Sequence, residues 1–247
     1  VHWGGYPLDL DKIRGIRNRF REKHGWAPSL IEDGAHAFGT KYKGKYLGNH
    51  GNFVMNSLQA IKHITSIDGG LLYCPYEELY ERAKLLRWYG IDRNPEGRTD
   101  FRCEADIAEW GFKFHMNDVC ASVGIENFKH MNELVSKHKT NAAYYDKHLQ
   151  NVKGVTLLKR EEGFESAFWI YSLLVEDRAG FYEHMKQCGI TVSQVHERND
   201  KHSCVAEFKT DLPNLEKTIS KVVSIPVGWW VTEEQREYIV DCIKKGW

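Results

Sequence analysis

At 247 residues with 42% apolar content, the chain can bury a sizeable core, as one large domain or as a large and a small one. Its 34 Lys and Arg balance 34 Asp and Glu, so no net field draws it to nucleic acid or to an anionic membrane. The apolar runs are only a few residues long, which excludes a transmembrane helix, and the first residues do not read as a signal peptide. A cytoplasmic protein is the expectation.

In chain order, Val1 to Pro7 reads as the tail of a strand entering a turn. Residues 8 to 24 place Ile13, Ile16 and Phe20 at helical spacing, with Asp9 or Asp11 as N-cap and Gly25 as the stop. A short apolar strand then delivers Asp33 at its carboxyl end. A loop through residues 41 to 45 leads to the strand Phe53-Val54-Met55, which runs on to Ser57. Strand, helix and strand in this order make a βαβ unit, hence a parallel sheet with helical cover.

The segment from Asn56 to Gly70 sets one lysine, Lys62, between that strand and a glycine pair, with the next strand at Leu71 to Cys74. Lys62 is therefore expected on a tight connection. A lysine amine desolvated there loses basicity and becomes a nucleophile towards carbonyls; most lysines are surface charges, so the position alone does not assign the role. Upstream, Asp33 is aimed where a ligand lies in an open α/β sheet, outside the carboxyl ends of the strands. A carboxylate that keeps a pyridine nitrogen protonated and a lysine that holds an aldehyde as an imine are the two ends of a pyridoxal phosphate site.

Residues 76 to 88 carry Leu79, Ala83 and Leu86 on one helical face, with Glu77 and Glu78 at the favoured end. Residues 94 to 104 read as an exposed loop. Asn117 or Asp118 caps a helix in which Val119, Val123 and Phe128 recur as packing positions, and a second helix reaches Leu149. Beyond residue 150 the pattern changes to strands at 155 to 158, 168 to 175, 190 to 195 and 223 to 227, with helices at 181 to 188, 214 to 222 and 233 to 245. This predicts a large domain over 1–150 and a small α+β domain over 151–247. Between them in character, the loop from 195 to 202 offers His196, Arg198 and Asn199 as donors for a diphosphate or sugar hydroxyls; an ordinary solvated loop is the other reading. The six cysteines are scattered, without zinc-ligand spacing, and read as reduced thiols; no metal is expected.

Four blocks occur in order: Glu-Asp-Gly-Ala-His-Ala from 32 to 37, Asn-Ser-Leu-Gln-Ala-Ile-Lys-His-Ile-Thr from 56 to 65 with its Asp-Gly-Gly, Leu-Leu-Arg-Trp-Tyr-Gly-Ile-Asp-Arg from 85 to 93, and Gly-Phe-Lys-Phe-His-Met-Asn-Asp-Val from 111 to 119. Together they resemble the DegT/DnrJ/EryC1/StrS family of sugar aminotransferases, clearly over residues 1 to 150 and more thinly after. The resemblance implies a fold-type I, α/β, pyridoxal-phosphate-dependent enzyme that moves an amino group from an amino acid such as glutamate to a nucleotide-linked keto-sugar. It places the Schiff base on Lys62, Asp33 at the pyridine nitrogen, His36 by the ring hydroxyl and Ser57 at the phosphate. It also implies a homodimer in which Lys113 or His115 reaches the other chain's cofactor phosphate.

A dehydratase branch of the family replaces the lysine by histidine, so Lys62 favours transamination. Family members usually carry a longer amino-terminal part with a Gly-Thr turn for the phosphate and an aromatic residue that stacks on the ring. Neither is found here, so Asp33, His36, Ser57 and Lys62 are expected to form an incomplete set and the cofactor to be held weakly. The alternative expectation is a non-catalytic fragment or relative that binds a sugar nucleotide or a partner.

Overall fold

The computed structural model describes residues 1–93 and 106–247, and the loop expected at 94 to 104 lies outside the described residues. Its first segment departs from expectation. Residues 3 to 5 form a 3-10 turn rather than a strand, because Gly4 and Gly5 take φ of 64° and 94°, which strand pairing does not accommodate. Helix α1 (Leu10–His24) follows; the Asp9 side chain accepts from the Lys12 N–H, and Gly25 closes it in the left-handed region at φ 77°.

Strand β1 (Ile31–Asp33) leads through a tight turn to a hairpin, β2 (Lys41–Tyr42) and β3 (Lys45–Tyr46), where a plain loop was expected. Lys43 and Gly44 at its tip both have positive φ, 48° and 77°, as a two-residue hairpin turn of the primed kind requires. β4 (Phe53–Ser57) runs parallel to β1, with Asp33 opposite Met55, and β5 (Gly70–Tyr73) pairs antiparallel on its other side. The parallel pairing thus exists, although the strand expected before α1 does not.

Under β1, the His2 Nε2–H donates to the buried Glu32 carboxylate at 2.7 Å, and the Leu8 N–H donates to His2 Nδ1 at 3.0 Å. Asn52 donates to the other Glu32 oxygen at 2.8 Å, so this buried acid is fully partnered. Gly34 sits against β4 so closely that an added Cβ would lie 2.9 Å from both the Met55 carbonyl oxygen and Asn56 Nδ2. Gly34→Ala is therefore expected to cost about 1–3 kcal/mol by overpacking, read as a lower urea midpoint; an unchanged midpoint would show that the turn yields without cost.

α2 (Glu77–Leu86) contributes no fully buried residue. α3 (Asp118–Phe128) is capped by Asn117, whose side chain accepts from the Cys120 N–H. Its expected packing positions divide: Val123 is half-buried and Phe128 meets Phe38 edge-on with centroids 6.0 Å apart while staying 52% exposed, whereas Val119 is 69% exposed. Helical spacing gathers apolar residues on one face, and the described residues cover that face only in part.

The main core is built from α4 (Met131–His148), β6 (Val155–Leu157), β8 (Tyr171–Val175), α5 (Arg178–Gln187), β9 (Val222–Ile225) and α7 (Glu233–Lys245). The three strands form an antiparallel sheet in the order β6-β8-β9. Tyr145, Leu149, Tyr171, Leu173, Phe181, Met185, Val223 and Ile243 are fully buried in it, so the last turns of α4 pack onto strands that follow residue 150. No strand forms at 190 to 195; a single bridge joins Ser193 to Ser224. α6 (Pro213–Ile219) lies before β9. β7 (Phe164–Glu165) crosses back to pair with β2 in a separate small sheet ordered β3-β2-β7, which returns the chain to the amino-terminal half just before residues 166 to 170. This return positions the site.

Candidate active site

Because β1 and β4 are parallel, their carboxyl ends lie at the same edge, and Asp33 and Ser57 end the two strands there. The chain then turns through residues 58 to 69 before β5. This turn is pinned by the Leu58 N–H to the Gly69 carbonyl at 2.8 Å, the Ser66 N–H to the Leu58 carbonyl at 2.8 Å, and the buried side chains of Leu58 and Ile64 packed with Phe38. Lys62 stands on it, half-buried, as expected of a tight connection.

Burial pushes the Lys62 amine below the usual lysine range, and the Asp33 carboxylate opposes that shift. The two form no ion pair, and Asp33 acts on the amine through its charge. Asp33 Oδ1 accepts from the Ala35 N–H at 3.0 Å, and Ser57 Oγ from the Gln59 N–H at 3.3 Å; both side chains are thereby turned into local loops.

His36 follows in the turn after β1, where the Ala37 N–H donates to the Gly34 carbonyl at 2.8 Å. Burial, then Lys62 and His196, hold its pKa down to about 4 against the pull of Asp33. Its Nδ1 accepts from the Gly4 N–H at 3.4 Å, so the neutral ring carries its proton on Nε2. His196 stacks towards it with centroids 5.3 Å apart, and burial and Lys62 lower His196 as well.

Of the three residues read as sugar-nucleotide donors, only His196 joins this group. Arg198 is occupied elsewhere: Nε meets Asp200 at 2.8 Å, one terminal nitrogen meets Glu216 at 2.9 Å, and the other donates to the Thr210 carbonyl at 3.0 Å. Asn199 opens an exposed 3-10 turn. Lys113 and His115 lie apart from Lys62, along an open depression lined also by Gly69, Leu71, Arg87 and Met116. His115 packs edge-on to Trp88 at 3.7 Å, and its buried Nδ1 has no hydrogen-bond partner.

Trp169 escaped the sequence reading. Its indole lies 4.0 Å from Lys62 Nζ and stacks on His36 at 3.9 Å and 19°. It falls in an apolar run read as strand, and strand β8 begins only at Tyr171. Among the described residues no group of three or more His, Cys, Asp or Glu could hold a metal ion, and no helix is long and apolar enough to cross a membrane. The five described cysteines are free.

The structure of AtS13 from Actinomadura melliaura superposes with a TM-score of 0.95 at 48% identity, over 100% of this chain and 65% of that one. Sugar aminotransferase CalS13 from Micromonospora echinospora does so with a TM-score of 0.93 at 42% identity, over 100% of this chain and 66% of that one. UDP-4-amino-4-deoxy-L-arabinose--oxoglutarate aminotransferase of Shewanella sediminis is 28% identical over 92% of this chain and 61% of its own length. The chain thus spans somewhat less than two thirds of these relatives. The fold is the fold-type I architecture of pyridoxal-phosphate-dependent sugar aminotransferases. With the DegT/DnrJ/EryC1/StrS aminotransferase model matching residues 1–244, the chain belongs to that family.

Proposed function

We propose that this chain carries the site of an aminotransferase that takes an amino group from an amino acid, such as glutamate, and gives it to a nucleotide-linked keto-sugar. The observation that carries the reading is the half-buried Lys62 amine within electrostatic reach of the Asp33 carboxylate, with which it forms no ion pair, and of a neutral His36, at the carboxyl edge of β1 and β4.

The residues fit pyridoxal phosphate. An amine of lowered basicity and a carboxylate that do not quench each other as an ion pair suit the aldehyde and the ring nitrogen of one small planar molecule. In this reading Lys62 attaches it, Asp33 meets the ring nitrogen, His36 lies at the ring, and Ser57 offers a hydroxyl to the phosphate. Once bound, the group supplies an electron sink for the substrate's α-carbon. Asp33 contributes a fixed negative charge opposite the ring nitrogen. The Lys62 Nζ would carry the proton to and from the substrate carbon as general base and acid.

Residues 1–150 would hold the cofactor and 151–247 would form the smaller domain. Because Lys113 and His115 lie away from Lys62, either would serve the phosphate of a second protomer in a homodimer. His196 is the donor best placed for the sugar substrate.

A cofactor titration followed by absorbance, then addition of glutamate, tests the proposal. Saturable binding at one equivalent per chain and release of 2-oxoglutarate are expected. Saturable binding of a nucleotide sugar with no cofactor uptake would instead identify a non-catalytic relative.

A further inference from the structure

We infer that Trp169 is a positioning residue for Lys62: its indole face seats the resting amine as a cation beside His36, and so sets how readily that amine gives up its proton. The inference rests on the reading of Lys62 as the site's amine.

The contact is specific. Nζ lies 4.0 Å from the ring centroid, well inside the range of about 6 Å over which the face of an indole attracts an ammonium group. Among the described residues no carboxylate takes Lys62 into an ion pair, so the ring is the contact that holds its charge. The other titratable groups near the amine are Asp33 at the end of β1, His36 in the turn after it, the adjacent His63, and His196 from the C-terminal half. Asp33 favours the cation, whereas the three histidines are neutral rings whose protonation the amine opposes.

The platform is fastened to the lysine from both sides. The Trp169 Nε1–H donates to the Ile61 carbonyl at 2.9 Å, and the His63 Nε2–H donates to the Ala167 carbonyl at 2.9 Å. The two neighbours of Lys62 in the chain are thus each bound to the segment that carries Trp169. That segment is held in turn by the Ala167 N–H on Thr40 Oγ1 at 3.2 Å and by His138 Nδ1–H on the Phe168 carbonyl at 2.8 Å. Phe168 sits at φ 51°, a left-handed conformation that a phenylalanine keeps only when its surroundings impose it. A tryptophan that merely filled space would need none of this.

Competitive trace acetylation of the cofactor-free full chain, read for the Lys62 peptide by mass spectrometry across pH, gives the midpoint of Lys62 directly. Trp169→Phe keeps an aromatic face of lower strength, and Trp169→Leu keeps an apolar side chain without one. The midpoint is expected to fall in the order Trp, Phe, Leu, with the Leu variant lower by roughly 0.4–1.5 pH units. Equal midpoints in the Phe and Leu variants, or a higher one in Leu, would overturn the inference, since loss of packing alone does not sort by aromatic character. Should the Leu variant not fold, a Phe variant with an unchanged midpoint overturns it equally. The measurement needs no cofactor, so it stands or falls separately from the proposed aminotransferase activity.

Discussion

Lys62→Ala is expected to remove amino transfer and, with it, covalent capture of pyridoxal phosphate. In the wild-type chain, borohydride after cofactor addition should fix the pyridoxyl label on Lys62 alone, found by peptide mapping. The selectivity has a physical origin. Burial lowers the Lys62 amine below the usual lysine range and so leaves it a larger share of free amine at neutral pH. Loss of a positioned acid–base group alone costs roughly 10²–10⁴-fold in rate, and Lys62 would supply that role as well as the attachment. Alanine at 62 also leaves Asp33, Ser57 and the turn intact, because the turn is pinned by backbone bonds and by Leu58 and Ile64. A label spread over surface lysines in proportion to exposure would sink the assignment.

Acid is expected to unfold the protein earlier than its surface charges suggest, through two histidines beneath the site. His63 and His138 lie 4.6 Å apart, and burial, then His138, hold His63 down to about 3. Burial lowers His138 in the same way, against its bond to the Phe168 carbonyl, and its Nε2 is buried without a partner. Each is neutral in the fold but takes a proton near pH 6.5 when unfolded. The unfolded chain therefore binds more protons below that pH, and stability present above 6.5 declines as pH falls towards 3. The slope is about 1.4 kcal/mol per pH unit for each such histidine, so His63 alone accounts for about 2 kcal/mol between pH 6.5 and 5. That is a large part of a typical domain's stability of about 5–15 kcal/mol. His63→Gln, which keeps an N–H for the Ala167 carbonyl and does not titrate, should lose less over the same interval in urea unfolding at pH 7 and 5. Equal losses in the two proteins would show that His63 is not the group responsible.

Much of the site could be read before the fold was known, because its parts are local. Asp33, Gly34 and His36 share one turn, Ser57 and Lys62 share another, and the two strands that carry them announce themselves by short apolar runs. The helix boundaries were legible for the same reason: Asp9 at the start of α1 and Asn117 at the start of α3 act on backbone groups two or three residues away. The readings that failed were those that needed a distant partner. Residues 190 to 195 have strand composition but find only one bridge, and Val119 has core spacing but stays 69% exposed.

The sequence by itself determined the family, the setting of Lys62 and Asp33 in two local turns at strand ends, and the order in which most helices and strands follow one another. Each is written in contiguous residues, whose spacing sets backbone conformation and side-chain facing directly. Only the tertiary structure decided that Trp169 meets both Lys62 and His36, that Arg198 is taken by Asp200 and Glu216, and that His63 and His138 share one buried space. Those pairings depend on β7 crossing back to β2 and on α4 packing across residue 150. They join positions as far apart in the chain as His36 and Trp169, and nothing in the local pattern of a tryptophan, an arginine or a histidine says which distant group it will meet.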